Sequence, residues 1–261
     1  LHLHGELIQN GITKTPSHLG GATMFEQNNQ RSSYPLNPAA TQVTTTFLAK
    51  VFNWMAVGLA LTAGLAFAVA NSPATQQLIF GNKLVFYALI FGELGMVLYL
   101  SARIENMAAS TATALFLIYS ALNGVTMAAV LLMYTAASVA TTFAVAGGMF
   151  AAMAVYGTVT KKDLTGMGSF MFMGLIGIIL ASLVNMFMHS PAIEWTISVI
   201  GVIVFTGLTA YDIQKISRFG GSIMNSGDAA IRKGAIMGAL SLYLDFINLF
   251  LSLLRLLGDR R

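Results

Sequence analysis

Charge is scarce in this chain: Asp, Glu, Lys and Arg make up 9% of its 261 residues, against roughly 25% in an ordinary soluble domain. That shortage excludes a soluble fold, and an apolar content of 56% excludes intrinsic disorder. Cysteine is absent, so disulfides, thiolate zinc sites and thiol nucleophiles are excluded as well. Also missing are the phosphate-cradling Gly-x-x-x-x-Gly-Lys run, the His-Glu-x-x-His helix and the Gly-x-Ser-x-Gly elbow, and the chain is read as a non-enzyme without a bound cofactor. The net charge of +4 comes from basic residues scattered along an apolar chain. They form no patch for nucleic acid and act instead as a membrane-orientation signal, with the lipid bilayer as first partner.

What is present is a polar opening followed by long apolar runs. Residues 1–49 carry Pro16, Pro35 and Pro38 and no run long enough to span, which predicts a flexible cytosolic lead-in. Because the first residue is Leu1 and the tone changes at Met24-Phe25-Glu26-Gln27, residues 1–23 are expected to be an addition ahead of the native start. No signal peptide is recognised at the start. From Lys50 to Arg261 the chain is expected to be one all-α membrane domain. Seven runs, near 50–70, 84–103, 108–133, 136–157, 169–189, 193–216 and 236–257, reach the ~20 residues a helix needs to cross. None shows the alternation of a barrel strand. The breaks include Asn71-Ser72-Pro73, a tight turn at Tyr134-Thr135, Lys161-Lys162-Asp163 and a long loop from Phe219 to Lys233.

With the amino terminus in the cytoplasm, ten basic residues fall inside (Lys14, Arg31, Lys50, Arg103, Lys161, Lys162, Lys215, Arg218, Arg232, Lys233) and four outside (Lys83, Arg255, Arg260, Arg261). Three of those four lie at the carboxyl end, so the open point is whether the seventh run crosses or dips and returns; crossing is expected. Small residues at four-residue spacing predict close helix packing at Ala60-Gly64-Ala68, Gly177-Ala181 and Gly234–Gly238. The 15 methionines read as core filler. His189, near a helix end with no second ligand, reads as an interface residue, and His2, His4 and His18 are assigned no role.

Charges inside the runs want a reason, since each costs ~2.5–3.5 kcal/mol on insertion scales. Glu93, Asp212 and Asp245 stand out, with Arg103 closing the second run. On the seventh run Ser241, Asp245, Asn248 and Ser252 are spaced four, three and four, which makes one polar stripe on an apolar cylinder. That suits a central helix lining a cavity, and Ser241, Asn248, Ser252 and Glu93 are the candidate ion-path residues. Thr206, Thr209 and Asp212 share a sector of the sixth run. Tyr119, Asn123 and Thr126 of the third run read as interhelical hydrogen bonds.

Topology brings Asp212, Asp245 and Arg103 to the same half of the membrane. Two carboxylates in one dry site cannot both ionise cheaply, so the pair holds a proton. A nearby guanidinium favours the ionised form. Together they make a proton-responsive latch. Loss of the proton leaves paired oxygens at Asp212 and Asp245, the candidate contacts for a hard cation such as calcium.

Four stretches then resemble a known family: Tyr119-Ser-Ala-Leu-Asn-Gly-Val125, Thr160-Lys-Lys-Asp-Leu-Thr-Gly-Met-Gly-Ser169, Gly207-Leu-Thr-Ala-Tyr-Asp-Ile-Gln-Lys215 and Ala239-Leu-Ser-Leu-Tyr-Leu-Asp-Phe-Ile-Asn-Leu-Phe250. They are similar to the Bax-inhibitor-like, or transmembrane Bax inhibitor motif, family over about residues 24–261, and the short loops look bacterial. The resemblance implies seven helices with the last one central, and a pH-sensitive calcium leak in the inner membrane. It makes Asp212 and Asp245 the pH sensor, Arg103 the latch and Glu93 an acidic residue on the path. The long loop between the sixth and seventh runs departs from the pattern. The role of eukaryotic relatives in cell death is not carried over.

Two other classes compete. The chain could be a non-conducting regulator of a membrane protease or stress response, the lead-in reaching its partner. An intramembrane aspartyl protease also places aspartates on two adjacent helices, the first in Tyr-Asp, but the Tyr-Leu-Asp of this chain departs from the Gly-x-Gly-Asp of that class.

Overall fold

The computed structural model describes residues 38–223 and 226–261; the expectations for residues 1–23, and most of the polar lead-in, lie outside them. All regular structure among the described residues is helical apart from one isolated bridge pairing Tyr134 with Arg260. The helices are α1 (Pro38–Ala70), α2 (Pro73–Phe80), α3 (Lys83–Arg103), α4 (Ala109–Met133), α5 (Ala136–Val159), α6 (Thr165–Met188), α7 (Pro191–Ile223) and α8 (Asp228–Leu257), with one 3-10 turn at Ile104–Asn106. Seven of them, all but α2, are long and apolar enough to cross a membrane.

In hydrocarbon every backbone N–H and C=O needs a partner, which is why apolar runs become helices and their ends are capped. Asn82 Oδ1 accepts from Leu84 N–H at 3.0 Å to start α3, and Thr135 Oγ1 accepts from Ser138 N–H at 3.3 Å to start α5. The exposed His189 closes α6 in the left-handed region, at φ 51°. The short helix α2 is absent from the sequence reading. Its signal was Ser72-Pro73: the serine hydroxyl caps Thr75 N–H and the proline occupies the first turn.

The bundle has two ends. A basic end holds Lys161, Lys162, the α3–α4 junction and the α7–α8 connection. There Gln214 joins α7 to the α5–α6 loop, donating to Lys162 O (2.8 Å) and accepting from Leu164 N–H (2.9 Å). A tail end holds the two-residue α4–α5 turn, whose Thr135 N–H reaches Asp259 O at 3.1 Å while Arg261 N–H reaches Met133 O at 3.0 Å. Helix α8 therefore runs unbroken from one end to the other, and the seventh run crosses. It is also the axis: 72% of its most apolar window is buried, against 6% for α3 and none for α6. Tyr243, Leu242 and Leu249 of α8 are wholly buried, as are Phe47 and Val51 of α1 and Phe116 of α4.

Two expectations are corrected. The Phe219-to-Lys233 stretch is largely helical and not a long loop: α7 runs to Ile223 and α8 starts at Asp228. Its glycines serve packing: a Cβ on Gly220 would meet the Phe47 ring at 2.6 Å, and one on Gly234 would meet Ile223 at 2.8 Å. Conversely, Gly64 and Gly177 have nothing within 4 Å of such a Cβ, so the Ala60-Gly64-Ala68 stripe faces outward and Gly177 packs on no neighbour. Close approach between α1 and α4 occurs at Gly58 and Gly124 instead, the latter against Thr62 O at 2.6 Å.

Candidate functional site

Helices α7 and α8 pack antiparallel along their whole length. Gly201 lies against Ser252, Ile216 against Gly238 and Phe219 against Gly234. This register sets Asp212 level with Ser241, and Asp245 one turn, about 6 Å, nearer the tail end. Both helices are forced together by small residues at the contact points, so the two carboxylates are brought into one seam, as the sequence expectation required. Asp245 is 5% exposed and its Oδ2 has no hydrogen-bond partner among the described residues. It lies within electrostatic reach of Asp212, which in turn interacts with the Lys215 ammonium.

A cavity of about 280 Å³ opens on the basic-end side of this pair. Asp212, Lys215 and Phe219 form one wall, Ser241, Gly238 and Met237 the other, and Ser101 with Ile104 closes it from the end of α3. A second hollow, of about 200 Å³, shares Ile104, Phe219, Gly234 and Met237 and continues past Lys233 toward the α7–α8 connection. The two form a vestibule that leads from the basic end to Asp212. Asp245 stands one turn beyond Ser241, behind the vestibule wall.

The remaining predicted residues are placed unequally. Ser241 lines the cavity. Asn248 and Ser252 continue the stripe, but each bonds back to its own helix, Asn248 Nδ2 to Leu244 O at 2.8 Å and Ser252 Oγ to Asn248 O at 2.7 Å. Thr209 bonds to Phe205 O at 2.7 Å, while Thr206 Oγ1 is buried without a partner among the described residues. Arg103 closes α3 beside Ser101 and Ile104, yet its side chain is exposed and makes no ion pair with either aspartate. The structure thus leaves Arg103 at the end of α3, exposed and paired with neither aspartate.

Glu93 belongs to a different group. Its Oε1 accepts from Thr126 Oγ1 at 2.9 Å, the interhelical hydrogen bond expected of the third run, and it lies in electrostatic reach of Tyr119 and Tyr243. Tyr243 OH pairs with Thr62 Oγ1 at 2.7 Å, and the same hydroxyl of Thr62 donates to Ser120 O at 2.8 Å. Asn123 Oδ1 is buried there without a partner among the described residues. Glu93 is therefore part of an α1–α3–α4–α8 polar cluster, separate from the aspartate seam.

Lys215 and Tyr243 were not singled out from the sequence. Lys215 follows Asp212 by three residues, which on a helix means a shared face, and that spacing was readable. Nothing in the sequence distinguished Tyr243 from other aromatic residues. No group of three or more metal-ligating side chains occurs among the described residues. Calcium takes six to eight oxygens, more than Asp212, Asp245 and Ser241 supply.

A family model described as inhibitor of apoptosis-promoting Bax1 matches residues 44–261. The inner membrane protein YbhL of Escherichia coli is 52% identical over 216 residues, 83% of this chain and 92% of that protein. A Borreliella burgdorferi protein is 47% identical over 219 residues, covering 84% and 94%, and one from Deinococcus radiodurans 44% over 215, covering 82% and 91%. Since the aspartate motifs and six of the seven spans, with nearly all of the first, lie within the matched region, the chain is a multi-pass membrane protein of the Bax inhibitor-like family.

Proposed function

We propose that the chain is a pH-sensitive calcium leak channel, not an enzyme, with its basic end in the cytoplasm. The inner membrane is the proposed location, after the name of the Escherichia coli relative. The amino terminus is placed inside by the excess of Lys and Arg at that end.

The observation that carries this reading is a buried carboxylate oxygen without a partner among the described residues, on Asp245, one turn behind a vestibule whose wall holds a second carboxylate. A full negative charge at each aspartate is costly in so dry a seam, and a proton held by the pair removes one of them. When that proton leaves, the two carboxylates repel each other and attract cations. Calcium entering by the vestibule gains their oxygens beside Lys215 of the same wall, and Arg103, exposed at the end of α3, swings to the pair and closes it. Proton occupancy and latch position are then two faces of one equilibrium.

The test is calcium flux from liposomes holding the full-length protein, measured across pH. The wild type is expected to conduct in a pH-dependent way, Asp212→Asn and Asp245→Asn to lose that dependence, and Arg103→Gln to raise the basal rate. Unchanged flux in the double aspartate variant rejects the reading. One observation favours a second reading, a non-conducting regulator of a membrane protease or stress response: beyond Asp245 the seam is closed where Gly201 meets Ser252. A protein without flux whose loss alters proteolysis of membrane substrates would fit that role.

A further inference from the structure

At the tail end of the α7–α8 seam lies another polar cavity, of about 280 Å³. It is lined by Ser182, Asn185 and Met186 of α6, Glu194 and Ile197 of α7, and Arg255 of α8. Between it and Asp245 the seam carries Asn248 and then the Gly201–Ser252 contact, where the smallest side chains of the two helices meet and close the seam in this structure.

The carboxyl-terminal tail reaches this cavity. Helix α8 ends at Leu257, and Gly258 turns the chain out of it. A Cβ at Gly258 would run into Leu254 O and the Tyr134 ring, so only glycine allows this turn. The tail is then fastened to the α4–α5 turn: Asp259 N–H donates to Ser138 Oγ at 2.9 Å, alongside the backbone bonds of Thr135 and Arg261. The fastening holds the Arg260 guanidinium near the Tyr134 ring, 5.8 Å from its centroid, with Nη2 donating to Glu194 Oε1 at 2.8 Å. The side chains of Arg260 and Glu194 are 54% and 41% exposed, so their bond is a weak, exchangeable one rather than a staple.

We propose that this cavity is the outer mouth of the path that starts at Asp212, and that Arg260 is its tethered plug, a fixed cation that masks Glu194 and repels entering cations. The inference rests on the leak reading. Its electrostatics follow from the charges there: Glu194, Arg255 and Arg260 sum to one positive, Glu194 and Arg255 cancel without Arg260, and the flanking Asp259 and Arg261 of the tail offset each other. Fixed charge at a pore mouth sets the local concentration of the ions that enter.

The experiment uses full-length protein in liposomes with calcium as the only divalent ion. Arg260→Gln is expected to raise the initial flux several-fold at low ionic strength. Added salt should shrink that ratio as the Debye length falls from about 30 Å at 0.01 M to about 8 Å at 0.15 M. Glu194→Gln should lower the flux, Glu194→Gln with Arg260→Gln should restore the wild-type rate, and Arg260→Lys should leave it unchanged because the charge remains. An Arg260→Gln rate equal to wild type, or a rise that salt does not reduce, overturns the plug while leaving the leak intact. Absence of wild-type flux overturns both. Because the chain has no cysteine, Ser182→Cys gives a readout independent of conduction. A membrane-impermeant thiol reagent must label it from the outer side in both wild-type and Arg260→Gln backgrounds, and labelling from the inner side alone overturns the mouth.

Discussion

Asp163 and Gln214 fasten the α5–α6 loop to α7 by different chemistry, and the two respond differently to pH. Hydrogen bonds from Thr165 and Arg218 hold the Asp163 carboxyl below its usual range, the Thr165 hydroxyl first among the causes. A depressed carboxylate stabilises the fold above its unfolded value, near 3.9, and the contribution is lost as pH falls through the lower, folded value. Asp163→Asn should therefore melt slightly below wild type at neutral pH, with the gap closing at acid pH and shrinking in salt, since the pair is open to water. Gln214→Leu behaves otherwise. It strands the buried Leu164 N–H, leaves the part-buried Lys162 C=O without its donor, and should lower stability by about 1–3 kcal/mol at every pH, read as thermal melts in detergent. The aspartates of the seam were legible in the sequence because a charge in an apolar run is conspicuous. Gln214 was not, since an amide near a helix end is ordinary until the loop it holds is known.

Glycines show the same limit at the scale of the helix. Four-residue spacing says that a flat face exists, not what covers it, and so Gly64 and Gly177 were read as contacts although both point into open space. A Cβ at Gly124 would press on backbone, Thr62 O at 2.6 Å, which cannot rotate away. Gly124→Ala is expected to destabilise by about 1–3 kcal/mol through overpacking, and Gly177→Ala to stay within about 0.5 kcal/mol or gain slightly from helix propensity. Melting the two variants side by side checks both. The α7–α8 connection was misread for a related reason. Gly220, Gly221 and Gly234 look like loop residues by composition, while Gly220 and Gly234 admit Phe47, Phe219 and Ile223 to close helix contacts.

At the scale of the molecule, the existence and order of the seven spans were legible, because hydrocarbon leaves an apolar chain no alternative to satisfying its own backbone; their ends were not, since α1 begins at Pro38 inside the expected flexible lead-in, α7 runs seven residues past 216 and α8 starts eight before 236. The arrangement of the spans was not, since lipid-facing and core-facing apolar residues look alike in composition: α6 exposes Phe170, Phe172, Met173 and Phe187, and its most apolar window buries nothing. Orientation is open to a direct check in the cysteine-free background. Lys161→Cys should react with an impermeant thiol reagent only when the inner face is accessible, and Lys83→Cys from the outer face in intact cells. The reverse pattern would invert the proposed topology.

The lengths of α7 and α8 carry one more consequence. At 33 and 30 residues they measure roughly 50 and 45 Å at 1.5 Å per residue, against a hydrocarbon core of about 30 Å. The tail end is tied down to the short α4–α5 turn, so much of the surplus emerges at the other end as a stub, which the equally long α1 joins through Phe47 against Gly220 and Gly234. The hollow beside Phe219 and Lys233 shares Ile104 at the close of the 21-residue α3, so it lies at the level of the headgroups, beneath the tip of the stub. A soluble binder of modest size, such as an antibody fragment raised against the stub, would cap the molecule without ever touching the bilayer.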